Sequence, residues 1–194
     1  MTRLALFKHA LIALAAVAPL HVRQVSGRPV PPARYGLGRP ATPQEIRAWD
    51  VSIMPDGTGL PAGSGTAVQG AAIFRQRCAR CHGATGVEGP FDRLVGRAPT
   101  QGFPFGRDAS LVRTIGNYWP YSTTVYDYID RAMPYDAPGS LKPNDIYGLV
   151  AFLLWRNEII ADTATMDART LPRVRMPARD RFVRDNRHGG PEVR

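Results

Sequence analysis

Five consecutive residues carry the clearest chemistry in this chain: Cys78-Ala79-Arg80-Cys81-His82. Two thiols three residues apart, with an imidazole directly after the second, form the C-x-x-C-H signature of c-type haem attachment. The spacing has a chemical reason. Two such thiols can add to the two vinyl groups of one haem, and the histidine that follows is then placed beneath the iron. The chain has 2 cysteines, and both are here. Three other readings compete. A thioredoxin-like redox pair needs a βαβ context, and none surrounds residue 78. Half of a zinc site needs two further ligands, and downstream only His188 remains. The third is a chance pair of core cysteines.

A second axial ligand must come from elsewhere. The candidates are Met54, Met133, Met166, Met176 and His188. Met133 is favoured, because it ends a predicted helix and is followed by Pro134 and a loop that can fold over the open haem face. A thioether there raises the reduction potential. The plain alternative is a core methionine filling an irregular gap. Met176 is second, although its basic, proline-rich surroundings point to a surface arm. The carbonyl of Pro90 is a candidate acceptor for the ring N–H of His82, which would orient the ring; an ordinary turn is the alternative. Tyr118, Trp119 and Tyr121 could pack on the cofactor edge or simply in the core. Arg107 and Arg113 could neutralise propionates or stay solvated.

Helices must hold these groups. Thr42, Pro43 and Glu45 have the pattern of a capping box with proline at the first helical position. A helix is expected from Gly65-Thr66 into Arg75–Cys78, with Val68, Ala71, Ala72 and Phe74 on its apolar face. A short helix is expected over Ser110–Ile115. A better one runs from Thr123 to Ala132, with Val125, Tyr128, Ile129 and Ala132 on one face. Asn144 should cap a helix from Asp145 to about Ile159 that buries Ile146, Leu149, Val150, Leu153 and Leu154. The glycine-rich Gly57–Gly65 stretch reads as a linker, and residues 83–121 as loop. The fold class is all-α: a small domain over 66–160, with an irregular N-terminal arm over 28–65 and an extended C-terminal tail over 161–194. Both extensions are expected to bind a partner rather than stabilise the domain. So much loop in so small a domain needs something large to pack on, which a bound cofactor supplies.

Composition agrees. Of 194 residues, 44% are hydrophobic and 21% charged, which argues against a disordered chain. The 19 glycines and 18 prolines imply extensive loops. Arg3 and Lys8 precede the apolar run Ala10–Leu20, the pattern of a secretory signal peptide over residues 1–27, cut after Val25-Ser26-Gly27; a retained N-terminal anchor is the alternative. The formal charge of +9 then falls to +6, as Arg3, Lys8 and Arg23 leave without any acidic residue. No nucleic-acid-binding pattern appears, and no apolar run is long enough for a membrane span in the mature chain.

With its helix entering C-A-R-C-H, its Leu94-Val95-Gly96, its helix ending in Met133 and its aromatic C-terminal helix, the chain resembles the class I c-type cytochromes. More narrowly, it resembles the cytochrome subunit, the SoxD family, of sulfite/sulfane dehydrogenases from sulfur-oxidising bacteria. That likeness rests on Tyr35-Gly36-Leu37-Gly38-Arg39-Pro40, Pro55-Asp56-Gly57-Thr58-Gly59-Leu60-Pro61 and Tyr118-Trp119-Pro120-Tyr121. It also rests on Arg131-Ala132-Met133-Pro134-Tyr135-Asp136 and Leu171-Pro172-Arg173-Val174-Arg175-Met176-Pro177. It implies one covalent haem c on Cys78 and Cys81, with His82 and Met133 as axial ligands. It implies a periplasmic electron-transfer subunit, not itself an enzyme, that accepts electrons from a molybdenum-cofactor sulfite/sulfane dehydrogenase subunit. A soluble cytochrome or an oxidase would be the downstream acceptor. The alternative is a haem enzyme or sensor with an open sixth coordination site.

Overall fold

The core forms where two helices touch through glycine. Helix α2 (Ala67–Arg77) and helix α5 (Pro143–Arg156) cross with Gly70 against Gly148. A Cβ at Gly70 would overlap the Gly148 carbonyl oxygen, so only glycine allows this approach. One turn further along both helices, Phe74 and Phe152 meet at 5.1 Å between ring centroids. The computed structural model describes residues 36–183, and the compact body lies within residues 42–183. The expected signal peptide, the start of the arm and His188 lie outside the described residues.

The element order is α1 (Pro43–Trp49), β1 (Ser64–Thr66), α2, the single turn α3 (Ala79–His82), α4 (Ser122–Ala132), α5 and β2 (Thr165–Asp167). Three-residue 3₁₀ turns lie at Pro104–Gly106, Leu171–Arg173 and Arg179–Arg181. The fold is mostly helical, and among the described residues the sheet is a two-stranded antiparallel pair with Gly65 opposite Met166.

Local signals explain most boundaries. Thr42 and Glu45 form the expected capping box on α1, and Thr66 and Gln69 form another on α2. Four expectations need correction. The buried face of α2 is Ala67, Gly70 and Phe74, while Val68 is 77% exposed; contact between the helices selects the small residues. Asn144 does not cap α5. Its side chain accepts from the Ser64 N–H at 2.9 Å, while Asp145 accepts from the Lys142 N–H at 3.2 Å. Residues 110–115 form turns, held by Asp108 and Asn117 side chains bonding the local backbone, instead of a helix. The glycine-rich stretch ends in strand β1.

The tail differs most. Met166, Leu171 and Met176 are at most 4% exposed and belong to the main core. Leu171 is fixed further by its carbonyl, which accepts from the Ser122 hydroxyl at 2.7 Å. Sparse apolar residues in this segment, set singly among arginines, are core anchors. The arm is pinned as well: the Ile53 N–H donates to Asp127, and the Tyr147 hydroxyl donates to the Pro61 carbonyl at 2.8 Å.

A chain ending at Ile160 loses three core side chains. At roughly 1.5–3 kcal/mol each, the loss is about 5–9 kcal/mol, comparable with the whole stability of a small domain. Thermal unfolding followed by circular dichroism should show a much lower Tm or no cooperative transition. A Tm equal to that of the full chain would place these residues outside the core.

Candidate functional site

An apolar cleft of about 700 Å³ opens beside the α2–α5 crossing. Its wall draws on α2 (Phe74), α3, residues 90–94 and 113–115, α4 (Val125, Ile129), residues 133–136 and α5 (Leu149, Leu153). Protein interiors rarely leave voids larger than a water molecule, and this volume falls in the roughly 300–1,000 Å³ range of cofactor and ligand sites. Cys78, Cys81, His82 and Met133 all line it.

Local backbone geometry brings the first three together. Helix α2 stops at Cys78, whose φ of −121° leaves the helical path. The chain then makes one tight turn, in which the N–H groups of Cys81 and His82 both donate to the Cys78 carbonyl at 3.0 Å. Positions i, i+3 and i+4 share a helical face, so the two thiols and the imidazole project together. Gly83, at φ +79°, ends the turn.

The His82 ring is oriented by a carbonyl, but that of Asp92 instead of Pro90. Nδ1 lies 2.8 Å from the Asp92 oxygen. A carbonyl can only accept, so Nδ1 carries a proton, and in the neutral ring Nε2 is then the nitrogen with the free lone pair. The two-residue difference follows from how the loop returns. The Phe91 N–H donates to the Cys81 carbonyl at 3.2 Å, and the N–H groups of Leu94 and Val95 donate to Gly86. Gly89 packs directly on the Cys81 carbonyl and the His82 backbone, where a Cβ would collide.

Two titrating groups report on this environment. Burial pushes the Cys78 thiol up to about 11; Arg77 opposes the shift and Cys81 adds to it. Redox-active cysteines show the opposite, a lowered pKa. Glu88 is held down to about 2, first by the Thr85 hydroxyl and then by N–H donors of the same loop. Among the described residues, no group of three or more His, Cys, Asp or Glu is placed to hold a bare metal ion. The donor set is two thiols, one imidazole with a free Nε2 and one thioether around an apolar cleft. It fits a flat, covalently tethered iron macrocycle.

Met133 follows the last residue of α4, its N–H closing on the Ile129 carbonyl at 3.1 Å. The other described methionines do not line the cleft: Met54 is half exposed, while Met166 and Met176 are buried in the core. Trp119 lines the cleft and meets Tyr128 edge-on at 5.6 Å. Tyr118 stacks on Phe103 instead, and Tyr121 lies beneath the Arg179 guanidinium. Arg113 reaches the cleft, whereas Arg107 does not. Sequence reasoning missed Arg77 and Arg80 at the rim, although Arg80 lies inside the motif and Arg77 directly before it.

Residues 65–153 match the family model described as cytochrome c oxidase, cbb3-type, subunit III. The chain is also similar to a solved chain in the crystal structure of the sulfane dehydrogenase SoxCD from Paracoccus pantotrophus. The identity is 39%, covering 79% of this chain and 73% of that one, with a TM-score of 0.67. No curated protein matches the chain.

Replacing Thr85 with valine removes the main donor to Glu88. The Glu88 midpoint, measured by carboxyl-carbon NMR, should rise from about 2 toward the ordinary 4.5. Because the folded value is depressed, the loop gains its support from Glu88 above the unfolded pKa and loses it as pH falls toward the folded one. In the variant that loss should come at higher pH. An unmoved midpoint would mean that the hydroxyl is not the cause.

Proposed function

The chain belongs to the c-type cytochromes, and on that premise we propose that it is a periplasmic monohaem electron carrier. We further propose that it is the electron-accepting subunit of a molybdenum sulfite/sulfane dehydrogenase in sulfur oxidation. The observation that carries the proposal is the gathering of Cys78, Cys81, His82 and Met133 on one apolar cleft. Bound there, haem c supplies a one-electron ferric/ferrous couple. The Sγ atoms of Cys78 and Cys81 would tether it, and Nε2 of His82 and Sδ of Met133 would hold its iron. With both of those ligands in place substrate would find no open metal site, and the chain would act as a carrier and not as the catalyst. Phe74, Ile115, Val125, Leu149 and Leu153 keep water from the site, and with the neutral thioether they favour the less charged, reduced state.

The relation to a chain of SoxCD supports the partner. So does α1, a seven-residue helix with no buried residue, on which Ile46 is 54% and Trp49 88% exposed. So short a helix is marginal alone, and exposed aromatic side chains of this kind anchor protein interfaces. The partner-binding role expected of both extensions is carried here by the arm; the described tail combines buried anchors, Met166, Leu171 and Met176, with exposed arginines such as Arg169 and Arg175. A soluble cytochrome or an oxidase then takes the electrons onward.

Two outcomes follow. Met133→Ala should keep the haem attached, lower the reduction potential, abolish the methionine-sulfur band at the red end of the ferric spectrum and admit added imidazole. An unchanged spectrum would remove Met133 as ligand. A high-spin spectrum in the unaltered protein would favour the sensor or enzyme reading. Ile46→Ser with Trp49→Ser should leave spectrum and Tm unchanged but weaken association with the molybdenum subunit at least tenfold. Equal affinity would exclude α1 from the interface.

A further inference from the structure

The two arginines that flank Cys78 both reach to the segment following Met133. Arg77 Nη2 donates to the Ser140 hydroxyl at 2.7 Å, and Arg80 Nη2 lies 2.9 Å from Asp136 Oδ2. Residues 134–141 have no regular secondary structure, and their local bonds are two turns, Ala137 N–H to Pro134 and Ser140 N–H to Ala137. Met133, Pro134, Tyr135, Asp136 and Leu141 nevertheless all line the cleft. Among the described residues, the bonds from Arg77 and Arg80 are the two side-chain hydrogen bonds that residues 134–141 make. An irregular wall of the site is therefore tied by side chains to the end of α2 and to the turn that carries both cysteines.

We propose that Arg77 and Arg80 form a two-point clasp that holds the Met133 segment closed over the cleft. They act as positioning residues for the second axial ligand. This rests on Met133 being that ligand. The two points differ physically. Arg80–Asp136 is an exposed ion pair, with side chains 80% and 65% accessible, so salt screens it. Arg77–Ser140 joins a cation to a neutral hydroxyl and depends on salt much less. Exposed pairs contribute little individually, so the clasp tunes how often the segment opens and leaves the fold intact.

The test uses the full-length, haem-loaded protein and variants outside the attachment motif: Asp136→Asn, Ser140→Ala, the double variant and the conservative Asp136→Glu. Two rates are read: amide hydrogen exchange of residues 134–141 and displacement of the sixth ligand by imidazole. Asp136→Asn and Ser140→Ala should each raise both rates about two- to threefold, and the double variant about five- to tenfold. Asp136→Glu should stay near the unaltered protein. Raising salt from about 0.05 to about 0.5 M should speed the unaltered protein and Ser140→Ala about twofold but leave Asp136→Asn unchanged. Unchanged exchange in the double variant overturns the clasp, whatever Met133 does. Faster exchange with an unchanged imidazole rate overturns the positioning role if Met133→Ala alters the ferric spectrum, and overturns Met133 as ligand if it does not.

Discussion

The contact between Gly70 and Gly148 sets the spacing of α2 and α5, and the cleft takes its width from that spacing. Phe74 leaves one helix toward the cavity, Leu149 and Leu153 leave the other, and Cys78 stands where α2 ends. A Cβ at Gly70 would push the helices apart, and one at Gly148 would press on the Gly70 nitrogen at 3.1 Å. β1 enters the same contact, since a Cβ at Gly65 would overlap the backbone nitrogen of Gly148. β2 pairs with β1 and so brings Met166 and the tail into the core. The attachment turn, the apolar wall and the tail thus share one mechanical reference.

The rest of the cleft is loop, and buried loop must satisfy its backbone groups without a ladder. Side chains do this. Asn157, 1% exposed, accepts from the Gly96 N–H at 2.9 Å and donates to the carbonyls of Leu94 and Leu153. Asn117 donates to Ala98 and Val112, and the Thr114 hydroxyl donates to the Gly96 carbonyl. These bonds join the segment beyond His82 to the end of α5. The ring of His82 is oriented by Asp92 in the same loop, which Asn157 fastens at Leu94 and Gly96.

What was legible in the sequence was local. The thiol pair, the adjoining histidine and the stop after Met133 are short-range patterns, and the structure places all four side chains on one cleft. Helices α4 and α5 announce themselves by period, and the capping box of α1 by residue type. Long-range choices were not legible. Nothing near Gly89-Pro90 says that the loop turns back far enough for Asp92 to meet His82. Nothing in Val68 says that glycine will decide the buried face of α2. Leu171 and Met176 look like strays among arginines until the groove that receives them exists.

The central claim is that this cleft holds one haem tethered through Cys78 and Cys81. Mass spectrometry of chain isolated from cells competent in c-type cytochrome maturation tests it most directly. The account predicts one added haem, localised to the peptide that spans Cys78–His82, and no thiol that reacts with iodoacetamide after denaturation. Two alkylated cysteines and no added haem would contradict it.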